Sequence, residues 1–404
     1  MALKVILISL TLLGSGLADS NWAGSLDYGI DRPGEDLPNQ PVDIWPTSTA
    51  VDCQWKCYIE PRCVAWAYDS CSHTRCWLKS SAPAGGAMAC RDSGVMAGRA
   101  PAPAPVPTPT KTTDDCKYSK SWNLTGSSFF DGFDFYTGAD PTHGSVQYLN
   151  RQDAANRGLI KVINGSAYIG VDNTNKQSNG RPSVRIESKK SFTTGLMVID
   201  LEHIPDNACG LWPAIWTSGP NWPNGGEIDI LEGVNLNTQN QITLHTGGHC
   251  VVGDATQKGD KVGNDCQVSH SSVGCGVKTN TEGAFGTLFN WRGGGAYVVE
   301  RSTQGIKVWF FRTGSYPTSL LTDTPNVCEF GTPEASFPFS DCNQDQFGPQ
   351  KIIINISFCG DWADAPGLFN QGGCSGSCAS YVANTPEAFK YSYFTVRSLR
   401  MFNH

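Results

Sequence analysis

Three carboxylates fall within six residues in Glu227-Ile-Asp-Ile-Leu-Glu232, inside an otherwise apolar, strand-like run. Charge is costly to fold into such a setting, which points to a use for it. In a regular strand side chains alternate between faces, so Glu227 and Asp229 share one face and Glu232 points the opposite way. One extra residue changes this: a β-bulge near Ile230 or Leu231 re-aims Glu232 onto the face of the other two, as bulges beside active sites commonly do. Glu227 and Glu232 then stand about 13 Å apart at the backbone. Side chains leaning together bring the carboxyls to ~5–6 Å, the separation of a nucleophile and an acid/base in glycosidic cleavage with retention. The competing reading is an edge strand with solvated acids. The flanks weigh against it: Gly225 and Gly226 turn tightly into the strand, and Gln241, Thr243 and His245 alternate with apolar residues as on a neighbouring strand.

The elements that must hold these acids are strands. Gly 44 and Trp 12, with short alternating segments and many turn signals, lean toward an all-β architecture, and 404 residues allow two domains with one large core. A net charge of −7 with only 30 Lys+Arg leaves no basic footprint for nucleic acid or anionic membrane, so a neutral polymer is the better-matched partner.

The chain opens as a secretion signal over residues 1–18: Lys4, an apolar run from Val5 to Leu13, then Gly16-Leu-Ala18 before cleavage. The run is far shorter than the ~20 residues a spanning helix needs. No second such stretch and no lipid-anchor tail are seen. A secreted, extracellular or wall-associated monomer is expected, and cysteine usage agrees. Six cysteines lie between Cys53 and Cys90 and ten between Cys116 and Cys378, so each half can pair internally. Zinc is the alternative, but His245-x-x-x-His249-Cys250 has no second half-site, so no metal or cofactor is expected.

A seam runs through residues 100–115, where alternate prolines from Ala100 favour a semi-rigid spacer of roughly 40 Å at ~3.1 Å per residue. Its threonines suit O-linked sugar. Before it sits a small module, residues 19–99, with too few residues for a self-sufficient core; three disulfides are the expected remedy, and fifteen pairings are open. Cys53-Gln-Trp-Lys-Cys57, Pro61-Arg-Cys63-Val-Ala-Trp-Ala-Tyr68 and Cys76-Trp-Leu-Lys79 resemble the apple (PAN) domain family. That resemblance implies attachment to a wall glycan or a protein rather than chemistry. Trp55, Trp66, Tyr68 and Trp77 suggest a sugar-stacking surface, although Trp66 and Trp77, beside cysteines in apolar runs, read better as core.

The large domain, residues 116–404, carries Gly210-Leu-Trp-Pro-Ala-Ile-Trp-Thr217 and Pro220-Asn-Trp222-Pro-Asn-Gly-Gly226 ahead of the acids. It also has Phe129-Phe-Asp-Gly-Phe-Asp-Phe135, Gly180-Arg-Pro-Ser-Val-Arg-Ile186 and Ile354-Asn-Ile-Ser-Phe-Cys-Gly-Asp-Trp362. Together these resemble glycoside hydrolase family 16, in particular fungal laminarinase-like endo-β-1,3(4)-glucanases. The resemblance implies a curved jelly-roll β-sandwich with a long cleft, Glu227 as nucleophile, Asp229 as its helper and Glu232 as general acid/base. A β-glucan polysaccharide is the implied substrate. Relatives that only bind glucan have lost these acids, and this chain keeps all three. A transglycosylase shares the same first half-reaction and stays open.

For the cleft, Trp222 and Trp362 are candidate sugar platforms and Arg185, His245 and Asn355 candidate hydrogen-bonding residues. Trp212 and Trp216, in an apolar run, are at least as readily core residues. A solvated outer face competes for Arg185. Asn355 opens an Asn-Ile-Ser sequon in an apolar run that shields it, whereas Asn123 and Asn164 are better glycan acceptors.

Overall fold

The computed structural model describes residues 25–38, 40–43, 49–71, 75–96, 116–270 and 273–404. The signal expected over 1–18 and the linker over 100–115 lie outside the described residues, as does the side chain of Trp55. The chain divides into two compact units, Met1–Lys111 and Thr112–His404. No helix among the described residues is long and apolar enough to cross a membrane.

In the first unit the helix Ala50–Ile59 packs on a five-stranded antiparallel sheet ordered Asp27–Asp31, Gly86–Val95, Ala65–Asp69, Arg75–Lys79, Val42–Asp43. A capping box starts the helix: the Asp52 N–H donates to the Thr49 hydroxyl at 3.2 Å and the Thr49 N–H donates to the Asp52 carboxylate at 2.8 Å. Disulfides Cys53–Cys76, Cys57–Cys63 and Cys71–Cys90 close the unit on itself. Among the described residues, four of the ten in its buried cluster are cysteines, so the bridges substitute for apolar bulk that so short a segment lacks.

Two aromatic expectations are corrected here. Trp66 is wholly buried as expected, but Tyr68 is buried beside it, because both project from one face of the Ala65–Asp69 strand. Tyr68 therefore forms no sugar-stacking surface. Trp77 lies between inward-facing Cys76 and Leu78 and so points outward; it is partly exposed, with the Arg91 guanidinium 4.6 Å from its ring centroid.

The second unit is a sandwich of two eight-stranded antiparallel sheets, in line with the all-β expectation. The sheet bearing the acids runs Asp260–Lys261, Cys275–Lys278, Gln241–His245, Glu227–Glu232, Leu211–Ser218, Gln350–Phe358, Arg185–Phe192, Phe133–Phe135. The opposite sheet is built on Gly195–His203 and Tyr393–Asn403, flanked by Gly295–Ser302, Gly305–Arg312, Ser119–Thr125 and Ser166–Gly170. One core lies between them, with Ile186, Ile215, Ile228, Ile242 and Ile354 from the first sheet meeting Met197, Ile199, Tyr297, Val396 and Leu399 from the second. Alternation then leaves the acid sheet's other face polar.

Three devices steady that face. Gln350, wholly buried, donates to the Gly225 carbonyl at 2.7 Å and accepts from the Thr217 hydroxyl at 2.9 Å, tying the turn before Glu227 to the sheet. Gly226 has φ 71°, and a Cβ there would stand 2.6 Å from the Gln346 carbonyl oxygen, so only glycine fits. Disulfides Cys209–Cys374, Cys359–Cys378, Cys250–Cys342 and Cys266–Cys275 brace loops at the ends of the acid-bearing sheet's strands, while Cys116–Cys328 closes the longest loop, spanning 212 residues.

Candidate active site

The expected bulge is present. Against Leu211–Ser218, Leu231 pairs with Ile215 and Asp229 with Trp216, which leaves Ile230 as the extra residue. Ile230 and Leu231 both turn into the core, each fully buried, so Glu232 emerges opposite Ala214 on the face shared with Glu227 and Asp229. Glu227 and Glu232 are partly exposed and Asp229 is buried between them.

A bulge leaves backbone groups without their ladder partners, and here one side chain takes up two of them. Asn240, fully buried, accepts from the Glu232 N–H at 2.7 Å and donates through Nδ2 to the Ile230 carbonyl at 2.8 Å. Sequence reading missed it, since a buried Asn in a turn before a strand looks like any turn residue.

Tryptophans reach the acids from both sides. Trp212 Nε1 donates to Glu232 Oε1 at 2.8 Å, and the Trp222 side chain hydrogen-bonds Glu227. Trp362 meets the Trp212 ring edge-on at 5.8 Å. Trp216 Nε1 donates to Asn355 Oδ1 at 2.7 Å. Both Trp212 and Trp216 thus stand on the acid face rather than in the core, because the strand pairing sets their parity to that of the acids. Trp222 is 54% exposed, which leaves its ring free as a platform.

Arg185 also lies on this face, against a solvated outer face: it pairs with Glu187 at 2.9 Å and its guanidinium sits 4.6 Å from the Tyr136 and 5.1 Å from the Trp216 ring centroids. Asn355 is 7% exposed, and its amide accepts from Trp216 and donates to the Tyr148 hydroxyl at 3.2 Å, which positions these rings. The burial also agrees with its shielded sequon. His245, opposite Glu227 in the ladder, places Nε2 3.5 Å from Asp229 Oδ2. Tyr136, Tyr148 and the Ser357 to Asp140 hydrogen bond at 2.5 Å complete the polar floor; sequence reading found none of these, as they come from separate loops and strands.

With this geometry in view, residues 133–402 match the XgeA-like, catalytic GH16 domain and residues 30–79 match the PAN domain. The chain belongs to glycoside hydrolase family 16. It is similar to a probable glycosidase of Schizosaccharomyces pombe, 41% identical over 293 residues that cover 71% of this chain and 70% of that one. A probable endo-1,3(4)-β-glucanase of Aspergillus niger is 44% identical over 289 residues, covering 69% of this chain and 39% of its own length. The chain therefore spans well under half of that relative. Among solved structures, GH16 laminarinase 16A of Phanerochaete chrysosporium, holding two β-glucans (6-O-glucosyl-laminaritriose) in donor and acceptor sites, is 40% identical, covers 71% of this chain and 100% of its own, and superposes with a TM-score of 0.69.

In this family 16 site the charges are set by burial and by aimed donors. Burial, then repulsion from Glu232, raises Glu227 to about 8, while hydrogen bonds from Trp222 and Asp229 and the field of Arg185 oppose the rise. Burial raises Glu232 to about 7 against the single Trp212 hydrogen bond. Burial and both glutamates push Asp229 well above the usual carboxylate range, and burial pushes His245 down to about 4. Both pushes disfavour the charged forms, so the 3.5 Å contact between them lacks the electrostatic support of an ion pair. Glu227, Asp229 and His245 offer ligand atoms within 4.8 Å of one another, but a cation would need Asp229 ionised against this push. The higher value of Glu227 contains the repulsion of an ionised Glu232, which vanishes once Glu232 is protonated. A single negative charge among the three then settles on Glu227, where three neighbours favour it.

Two outcomes are expected. Asn240→Leu orphans a buried N–H and a buried carbonyl, costing about 2–4 kcal/mol by thermal or denaturant unfolding, and loosens Glu232 enough to lower kcat on the order of a hundredfold. Trp212→Phe removes a hydrogen bond that favours ionised Glu232, so the pKa of Glu232 rises; the alkaline limb of kcat/KM, where the proton is lost, should move up by about 0.5–1 pH unit. An unchanged limb would count against Glu232 as the group titrating there.

Proposed function

We propose that this chain is a secreted, endo-acting β-glucanase that hydrolyses β-1,3 and mixed β-1,3/1,4 glucans with retention of configuration. The observation that carries the reading is the Ile230 bulge, which sets Glu227, Asp229 and Glu232 on one face among four tryptophans. Glu227 attacks the anomeric carbon as the glycosidic C–O bond breaks, and Glu232 gives its proton to the leaving oxygen. The resulting glycosyl ester of Glu227 is opened by water, whose proton returns to Glu232. Two inversions leave the configuration unchanged. Asp229, holding a proton toward Glu227, steadies the carboxylate before attack and after release. Trp222 and Trp362 bind sugar faces, and Arg185 holds Trp216 and Tyr136 beside them.

Transfer of the glycosyl group to a second sugar instead of water is the other reading, and it is supported by the likeness to a laminarinase with sugars in both donor and acceptor sites. The similarity to fungal glucanases, together with eight disulfides, supports an extracellular setting. We further propose the division into signal 1–18, PAN module 19–99, linker 100–115 and catalytic domain 116–404, with the module tethering the enzyme to a wall glycan or protein.

Glu227→Ala should lower release of reducing ends from laminarin and lichenan on the order of 10⁴-fold or more without unfolding the chain. Azide should restore cleavage of an activated β-glucoside by that variant and give the α-azide; a β-azide or no rescue would sink Glu227 as nucleophile. Removing residues 19–113 should leave turnover of soluble glucan within about twofold while weakening retention on insoluble wall; equal retention argues against the tether.

A further inference from the structure

The hairpin of Ile160–Ile163 and Ser166–Gly170 turns at Asn164 and Gly165, with φ 51° and 82°, the left-handed pair that a tight hairpin takes. Asn164 is exposed there and begins the sequon Asn164-Gly-Ser166. The hairpin belongs to the sheet opposite the acids. Because Ala167, Ile169, Phe394 and Val396 face the core, their alternates Tyr168 and Tyr393 face outward.

Asn164 lines a groove of about 440 Å³ on this outer face. Its floor is aromatic: Tyr168 and Tyr393 have ring centroids 4.8 Å apart, and His203 stacks on Tyr393 at 3.8 Å. Glu202 and Arg397 edge it, the guanidinium held by Asp200 at 2.9 Å and the Leu201 carbonyl at 3.0 Å. Aromatic rings bounded by a carboxylate, a guanidinium and the Lys161 ammonium, 4.5 Å from the Tyr168 ring centroid, match a sugar, whose C–H groups pack on aromatics while its hydroxyls reach the polar edge.

We propose that Asn164 carries an N-linked glycan whose first sugars lie in this groove against Tyr168 and Tyr393. The inference rests on the secretory reading above, since the donor is a polyprenol-diphosphate oligosaccharide. The Asn164 Nδ2 forms a bond to the anomeric carbon as the bond from that carbon to the diphosphate oxygen breaks. The diphosphate leaves with the electron pair, and Nδ2 releases one proton to solvent. Ser166 is buried in the folded hairpin and its hydroxyl faces Glu202 at 3.4 Å, so transfer takes place before the hairpin closes. Folding then delivers the modified residue to its groove. Asn123, the other exposed sequon residue, does not line this groove.

The test secretes the full chain from a eukaryotic host and treats it with an endoglycosidase that cuts within the chitobiose core, following Asn164 by peptide mass. Release from the native protein should be roughly tenfold slower than from the denatured protein, the factor that about 1.4 kcal/mol of seating gives. Tyr168→Ala should bring the native rate close to the denatured one while leaving glucan cleavage unchanged. An unoccupied Asn164, or native release as fast as denatured, overturns the proposal; if Tyr168→Ala is not secreted, the wild-type ratio alone decides. A chain retained inside the cell without glycan overturns the secretory reading as well. An active enzyme with bare Asn164 overturns this inference alone, and a protected glycan on a chain that cleaves no glucan leaves it standing.

Discussion

Two hydrogen bonds from Asn240 hold the extra residue in the Glu227–Glu232 strand, and the site depends on them. This strand has to bury Ile228, Ile230 and Leu231 while keeping Glu227, Asp229 and Glu232 on the open side, a demand that strict alternation cannot meet. Two successive inward residues meet it. They leave the Ile230 carbonyl and the Glu232 N–H off the ladder, in a part of the sheet where water does not compensate. An amide side chain offers one acceptor and one donor a short distance apart, which is what this pair of groups lacks.

The same economy governs the acids. Tryptophan N–H groups give a hydrogen bond without adding a charge or a second titrating group, so they stabilise a carboxylate in a low dielectric without competing for its proton. Their rings remain available for sugar. Because the acids are raised by burial above the 4.5 of a free glutamate, the stability that goes with their protonated forms is full below that pH and is lost as pH rises through about 7 and 8, the two ionisations of the Glu227–Glu232 pair. A cleft armed for acid chemistry is therefore a mild liability at alkaline pH.

What the sequence displayed was set by residue type and local spacing. Three acids in six residues, with apolar residues between them, required an extra residue on one face, and the bulge is found where that reasoning put it. The faces of Trp212 and Trp216 were not legible, because hydrophobicity says that a residue avoids water, not which side of a strand it takes; the pairing of Trp216 with Asp229 decides this, and pairing is non-local. Tyr68 and Trp77 were exchanged between surface and core for the same reason, as only the position of the helix distinguishes the two faces of the small sheet. Asn240 was hidden in another way. Its partners are backbone atoms eight and ten residues away, and a side chain bound to backbone leaves no pattern in residue types.

The small unit's cysteine-built core has a consequence for how the two halves fail. With four of the ten described residues in its buried cluster tied up in bridges, reduction releases the chain constraint around which that interior is packed. Among the described residues the sandwich's main core is far broader, and eight of its 57 buried members are cysteines beside many isoleucine, leucine, valine and phenylalanine side chains. With the module as the proposed tether, thiol exposure is thus expected to detach before it disarms: anchoring is surrendered while turnover persists.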